Sequence, residues 1–404
     1  MYIGIICEFD PLHSGHARLL SHARAMGADA VICAMSGNFT QRGSFAALDK
    51  RARAEMAVRC GADLVVELPT VWAMSPAETF ARGSVQLLAL TGVDTLLFGS
   101  ECGELSALRR LADCLDSPAF ADRLTAADSG ATFAVRRQRA AAALLGDADA
   151  ALLESPNNTL AVEYLRALRR TGASMTPATL LRTGAAHDGA PEGGTASASY
   201  LRQLLRQGQR EAACGFTPSE AADILRRENA YLDALAEGRE LSHGRVTDSA
   251  LCERAVLSRL RVMTEEDWRE YDPGGEGLYH RLYQATRSAC TVDGLLSAAK
   301  TKRYPLARLR RMVLAAYLQL PPAPAQVPYI RVLAATAVGR AHLRRLRDAG
   351  APVLTKPADV TALGADAAAL FALEGRCTDL YVLARPDLTQ SAPGQDYRTT
   401  PVMV

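Results

Sequence analysis

The chain has almost no excess charge: 46 Lys and Arg stand against 44 Asp and Glu, a formal net charge of +2. A uniformly basic, nucleic-acid-coating protein is therefore excluded, and any RNA-facing surface must be local. No apolar run approaches the ~18 residues that a membrane-spanning helix needs. Among nine cysteines there is no CxxC pair, and the count is odd. Neither a zinc cluster nor a disulfide framework is indicated, and no metal site is expected. The first apolar run ends at Glu8 and Asp10 without a preceding basic region, so a signal peptide is not expected. A reducing cytoplasm is the expected compartment. No internal repeat is found. What remains is a 404-residue chain, 49% hydrophobic and 22% charged, long enough for two or three packed domains.

The first hundred residues alternate short apolar runs with helical segments. Strands are expected at 2–7, 30–35, 63–68 and 94–98. Between them the pattern predicts helices over 14–26, from an Asp49 cap to Cys60, and from Ser75-Pro76-Ala77-Glu78 to Leu90. Continuous apolar strands alternating with helices imply a parallel sheet covered on both faces, and right-handed crossovers make it doubly wound. Residues 103–175 read as mainly helical, with Ser155-Pro156 opening one helix. A fifth strand is expected at 178–183, then a glycine-rich loop at 189–196 and a helix from about Ser197. Helical periodicity runs from Thr217 to Leu318, with breaks near Gly275 and Thr291. A proline-rich linker, 321–328, precedes what reads as a small α/β unit. The expected division is a catalytic domain over 1–215, a helical domain with a basic segment over 216–320, a small α/β unit over 328–385 and a loose tail over 386–404.

The sharpest chemical signal is Phe9-Asp10-Pro11-Leu12-His13-Ser14-Gly15-His16, between the first strand and the first helix. In a doubly wound sheet, ligands bind beyond the carboxyl ends of the strands. A helix N-terminus there offers free N–H groups and partial positive charge to a phosphate. His13 and His16 share one face of the first turn, and Gly15 lets a nucleotide approach the backbone. Two imidazoles can donate to an oxyanion as charge builds in an in-line displacement. Two histidines that merely cap a helix are the plainer alternative. The register of strand, turn and helix start, with two of only seven histidines together, favours the phosphate reading.

The segment resembles the HxGH motif of the nucleotidylyl transferase superfamily. Ser197-Ala198-Ser199-Tyr200-Leu201-Arg202 resembles that superfamily's second signature, two hydroxyls and a basic group at a helix start that suit phosphate. A longer ordered set is more specific: Gly4–Pro11, Met35-Ser36-Gly37-Asn38-Phe39-Thr40-Gln41-Arg42-Gly43, Asp49-Lys50, Asp63–Pro69, Phe98-Gly99-Ser100-Glu101, Ser155-Pro156-Asn157-Asn158 and Lys300-Thr301-Lys302-Arg303-Tyr304. Together these are similar to the bacterial tRNA(Met) cytidine acetate ligase family over about residues 1–320, with a weaker echo in 328–384. The resemblance implies an enzyme that makes acetyl-adenylate from acetate and ATP. It then passes acetyl to the wobble cytidine of elongator tRNA(Met), giving N4-acetylcytidine. Where the family usually has Asn, this chain has Asp10.

By the same resemblance His13 and His16 are catalytic. The ATP site comprises Ile6, Cys7, Glu8, Phe9, Asp10, Pro11, Leu12, Ser14, Gly15, Ala17, Arg18 and Leu19, with Gly99, Asn157, Arg182, Ser197, Ser199 and Arg202. Core packing is the better reading of Cys7, and loop or helix-cap partners that of Glu8 and Glu67, ahead of catalytic acids. Acetate candidates are Asn38, Gln41, Arg42 and Lys50 on the loop after the second strand, although a structural ion pair is the better reading of Lys50. Mg²⁺ is expected with ATP, held mainly by phosphate oxygens and water.

No Asp or Glu occurs between Asp293 and Asp348. Lys300, Lys302, Arg303, Arg308, Arg310 and Arg311 in that window are the candidates for tRNA phosphates, with Tyr304 and Tyr329 as possible stacking groups. No membrane contact or dedicated protein partner is inferred. Two rival readings remain: an adenylyltransferase of small phosphorylated metabolites, and a non-catalytic RNA-binding protein with a vestigial ATP fold.

Overall fold

The computed structural model describes residues 1–126, 130–182, 197–213, 245–272 and 277–404, with only the backbone at 209–213. Five parallel strands build the centre: β1 (Tyr2–Cys7), β2 (Ala30–Ser36), β5 (Leu64–Leu68), β6 (Thr95–Ser100) and β7 (Thr176–Leu181). A small hairpin, β3 (Phe39–Thr40) and β4 (Ser44–Phe45), projects after β2. The parallel strands lie in the order β5-β2-β1-β6-β7. The order reverses between β1 and β6, and such a switch point opens a crevice at the carboxyl ends of the strands. Buried β-branched and aliphatic residues fill both faces, as expected for strands covered by helices on each side.

Helix α1 (Ser14–Ala25) follows β1 directly, and α2 (Lys50–Arg59) carries the strand-two loop back to β5. Asp49 caps α2 as expected, accepting from Arg51 N and Ala52 N at 2.9 Å each. Helix α3 (Ala77–Leu90) begins one residue later than its sequence signal: Pro76 is the cap residue, without a side-chain bond. Ser75 Oγ instead donates back to Val71 O at 2.6 Å, closing the preceding short turn. Helix α4 (Pro156–Thr171) packs on α3, with Ser155 at its cap position and Pro156 in its first turn. Helix α5 (Ala198–Ala213) places Leu201, Leu204 and Leu205 in the same buried apolar cluster as Phe9 and Leu12 of the motif turn. The glycine-rich loop at 189–196, the helix start near Thr217 and the break at Gly275 lie outside the described residues.

The expected helical stretch before 320 contains helices over Glu253–Arg261, Glu265–Arg269, Leu278–Ser288 and Val292–Ala299, then α6 (Leu306–Leu318). Thr291, expected as a break, caps the helix that follows it through Gly294 N.

Residues 328–385 do not form a sheet of their own. Strand β8 (Ile330–Ala335) joins the central sheet antiparallel to β5, with a register shift between Val65 and Val66. Short strands β9 (Val353–Leu354) and β10 (Val402–Met403) pair with β8 in turn. Helix α7 (Ala337–Asp348) follows β8, and α8 (Ala365–Tyr381) runs through Thr378-Asp379-Leu380-Tyr381. Nor is the segment after 386 loose. Asp396 is 0% exposed and accepts from Lys50 Nζ at 2.8 Å, Arg331 at 3.0 Å and Thr378 Oγ1 at 2.9 Å. Lys50 also donates to Glu67 at 2.7 Å. A buried cluster of opposite charges thus ties the last turn of the chain to the loop between β2 and α2, because an unpaired charge there would be costly.

Candidate active site

The turn after β1 is built around an unusual backbone. Phe9 has φ of 46°, a conformation rare for a bulky side chain, and the Asp10–Pro11 bond is cis. Phe9, fully buried, sets its ring edge-on to His16 with centroids 5.0 Å apart. Ile6, Cys7 and Leu12 are likewise packed inward. The side chains of these four site candidates belong to the core. Burial pushes the Cys7 thiol well up, and its Sγ donates to Ala34 O.

His13 is the cap of α1. Its Nδ1 accepts from Gly15 N at 3.1 Å, while His16 Nδ1 accepts from His13 N at 3.3 Å. This reciprocal pair is a capping box made of imidazoles. It also fixes the tautomer: with both Nδ1 atoms accepting, the neutral rings carry their protons on Nε2. No hydrogen bond among the described residues uses either Nε2. The rings lie 3.9 Å apart at 31°, so their free N–H groups belong to one face. Gly15 leaves room beside them, since a Cβ there would crowd His13 Cε1 at 3.0 Å.

Burial lowers His13 to about 4, with help from Arg182 and Arg202. Burial, His13 and Arg182 hold His16 well below the usual histidine value. Both rings are neutral donors at physiological pH. That suits a group meant to follow charge as it develops on a phosphate.

Arg202 closes the turn from the other side. Its guanidinium donates to Asp10 O at 2.7 Å and to Ser199 Oγ at 3.0 Å, and lies 3.7 Å from Asp10 Oδ2. Ser197 caps α5 through Tyr200 N at 3.3 Å. The two signatures, far apart in sequence, therefore meet in one place. Arg182, exposed just past β7, is anchored by its N–H to Ser100 O at 2.9 Å. A Cβ on Gly99 would come within 3.1 Å of the Arg182 side chain, so glycine leaves that arginine its path along the sheet edge.

Asp10 Oδ1 accepts from Ala47 N at 2.7 Å. The carboxylate that replaces the family's usual amide thus faces a loop amide on one side and Arg202 on the other. Glu8 Oε1 accepts from Gln41 N at 2.6 Å and Ser36 Oγ at 3.3 Å, and burial raises its pKa. The loop-partner reading of Glu8 matches these bonds, whereas Glu67 pairs with Lys50 at 2.7 Å and Arg331 at 2.9 Å instead of holding a loop or helix start. Sequence reasoning left Glu101 without a role. It clamps the start of α4, accepting from Asn157 Nδ2 at 2.7 Å, Asn157 N at 3.1 Å and Asn158 N at 2.7 Å. The signal was available: an acid just past a strand, followed in the chain by an Asn-Asn helix start.

The acetate candidates separate. Lys50, 1% exposed, is consumed by Glu67 and Asp396. Asn38 is buried between Lys50 N and Thr378 Oγ1. Gln41 Nε2 donates to Ser75 O at 3.1 Å. Arg42 is exposed.

The basic window does not form one track. Lys300, Lys302, Arg303 and Arg310 are exposed around the start of α6. Arg308 pairs with Asp272 at 3.0 Å, and Arg311 donates to Gln41 O at 3.2 Å. Tyr304 and Tyr329 are buried, which removes them as stacking platforms. On α7, Arg345 bonds the Tyr2 hydroxyl at the start of β1, the opposite end of the strand from His13.

A profile of the HIGH Nucleotidyl Transferase family matches residues 1–396. A tRNA(Met) cytidine acetate ligase from Syntrophotalea carbinolica is 37% identical, covering 85% of this chain and 82% of the relative. Another from Syntrophomonas wolfei is 32% identical over 99% of both chains. The chain belongs to the tRNA(Met) cytidine acetate ligase family. A solved structure described as Thermotoga maritima TmcAL bound with alpha-thio ATP superposes with a TM-score of 0.89, at 27% identity, over 100% of this chain and 99% of that one. The α/β architecture expected from the sequence is thus that of a family member, and the HxGH turn lies where the topology opens its crevice. Among the described residues, no helix is long and apolar enough to cross a membrane.

Proposed function

We propose that this ligase-family protein forms acetyl-adenylate from acetate and ATP and transfers the acetyl group to the wobble cytidine of elongator tRNA(Met). The observation that carries the reading is the paired imidazoles at the switch point, with Nε2 donors free and Arg202 and Arg182 beside them.

A carboxylate oxygen of acetate attacks the α-phosphorus, and the bond to pyrophosphate breaks. The N4 amine of cytidine then attacks the acyl carbon, AMP leaves, and the amine loses a proton. No protein nucleophile is needed. This chain supplies position and charge: His13 and His16 donate to phosphate oxygens, and Arg182 and Arg202 balance the negative charge. Gly99 near the end of β6 and Asn157 at the start of α4, its amide held by Glu101, are the candidates for the nucleoside. Arg42 is the acetate candidate whose side chain is exposed, since Lys50 is committed elsewhere. Mg²⁺ would enter with the triphosphate, on phosphate oxygens and water. Both carboxylates of the turn, Glu8 and Asp10, are already engaged by protein N–H groups. Lys300, Lys302, Arg303 and Arg310 offer local positive charge to the RNA backbone.

The test is incubation with ATP, labelled acetate and bulk tRNA, followed by digestion to nucleosides. Acetylated cytidine that requires both ATP and tRNA(Met) is expected. Pyrophosphate exchange stimulated by a phosphorylated metabolite instead of acetate would point to the small-molecule rival. ATP and tRNA binding with no acetylation would point to the RNA-binding one.

A further inference from the structure

Arg311 differs from the other deeply placed arginines of this protein. Arg53 is satisfied by four backbone carbonyls, those of Leu48, Glu8, Ser36 and Gly37. Arg166 and Arg331 each pair with two carboxylates, and Arg385 pairs with Asp49. Arg311 has one carbonyl, Gln41 O at 3.2 Å, and no carboxylate among the described residues. Its remaining N–H groups are not sealed from solvent. Burial and the neighbouring Arg308 lower its pKa to about 10, so it stays charged at neutral pH without a counter-ion. Burying a cation this far without a partner costs stability unless an anion completes the site.

The surroundings say which anion. Arg311 lies where α6 crosses the β3–β4 hairpin, so closely that a Cβ on Gly43 would stand 2.5 Å from Arg311 N. Exposed Arg310 adjoins it in the chain, and exposed Lys302 and Arg303 lie just before α6. A single small acid needs one such group. Exposed cations close to it in the chain, together with a half-buried guanidinium, suit a polyanion that seats one phosphate there.

We propose that Arg311 binds a backbone phosphate of the RNA substrate at the junction of α6 and the β3–β4 hairpin. The inference rests on the tRNA reading above. Through Gln41, whose N–H holds Glu8, the same contact ties the seated RNA to the loop beside the ATP turn.

The experiment measures tRNA(Met) affinity of the full-length protein across a salt series for wild type, R311Q and R311K. Acetate-dependent pyrophosphate exchange without tRNA and thermal unfolding are followed in parallel. R311Q is expected to lower the slope of log affinity against log salt by about one, and to raise Kd roughly tenfold at moderate salt. Exchange should stay within about twofold of wild type. R311K should restore most of the slope, because a point charge suffices for a phosphate. An unchanged slope in a folded R311Q overturns the proposal, as does a fall in exchange with normal tRNA binding, which would make Arg311 only a support for Gln41. Wild-type protein that neither binds nor acetylates tRNA overturns the tRNA reading itself, and this proposal with it.

Discussion

Arg202 donates to the backbone oxygen of Asp10, 192 residues earlier in the chain, at 2.7 Å. This bond joins the second phosphate signature to the first. It also aims the guanidinium away from solvent and toward the turn that carries His13. Replacing Arg202 with Gln removes the charge and leaves only a shorter amide donor. Acetate-dependent pyrophosphate exchange is expected to fall about 10²-fold, with little change in melting temperature. Asp10→Asn keeps the acceptor for Ala47 N and loses only the charge facing Arg202 at 3.7 Å. Its exchange rate should lie within about tenfold of wild type. A collapse of D10N to the level of R202Q would show that the carboxylate itself takes part.

The histidine pair makes a pH prediction with a definite sign. His13 is held at about 4 by burial, and His16 also lies below its ordinary value. Both are neutral through the physiological range. Pyrophosphate exchange should therefore show no histidine limb between about pH 6 and 8, at odds with a protonated-histidine mechanism. In stability the sign is the usual one for a depressed folded-state pKa. The contribution is fully present above the unfolded value near 6.5. It is lost as pH falls from there toward about 4. His13→Ala and His16→Ala should each cost about 10²- to 10³-fold in exchange.

The buried charge cluster predicts the opposite pH trend. Glu374 accepts from Thr70 N at 2.7 Å and from Thr70 Oγ1 at 2.8 Å, and burial with nearby Glu67 raises it to about 7. A raised carboxylate binds its proton more tightly in the folded state, so stability drains as pH rises from about 4.5 through about 7. Glu374→Gln should flatten that slope in melting temperature against pH. Asp396 behaves differently: burial pushes it up, but Lys50 and Arg331 override this and hold it well below the usual range. Lys50→Met should destabilise by about 3 kcal/mol, because two buried carboxylates lose one of their two shared cations and keep only Arg331. If K50M instead unfolds like wild type while acetate KM rises, Lys50 serves the substrate after all.

The parts of the site that were legible are those whose chemistry is written locally. His13, Gly15 and His16 form their capping box within four residues, and Ser199 meets Arg202 within one turn of α5. The strands of the core and their parallel sense followed from alternating apolar runs, while their order did not. What could not be read depends on partners remote in the chain. Asp396 meets Lys50 across 346 residues, so a loose-looking tail carries one of the most buried acids. The pairing of β8 with β5 reverses the local rule of parallel strands, and nothing in YIRVLA marks its direction. The acid-free window misled for the same reason. Arg308 finds Asp272 from outside the window, while Arg311 a turn later finds no acid among the described residues.

Gly43 offers a test of whether the hairpin and α6 work as one surface. Its φ is +74°, a conformation that costs an ordinary residue about 1 kcal/mol or more. An added methyl would also stand 2.5 Å from Arg311 N and 2.7 Å from Arg310 C, atoms of a helix backbone that cannot swing aside. Gly43→Ala must therefore part the hairpin from α6 or strain both. The turn after β1 also has a support outside the hairpin, Arg202 on Asp10 O. The expected result is a split: acetylation of tRNA falls at least tenfold, while acetate-dependent pyrophosphate exchange falls only a few-fold. Melting should drop by several degrees. Equal losses in both assays would mean that the hairpin's position matters mainly to the ATP turn, through Gln41 and Glu8, and that RNA seats elsewhere.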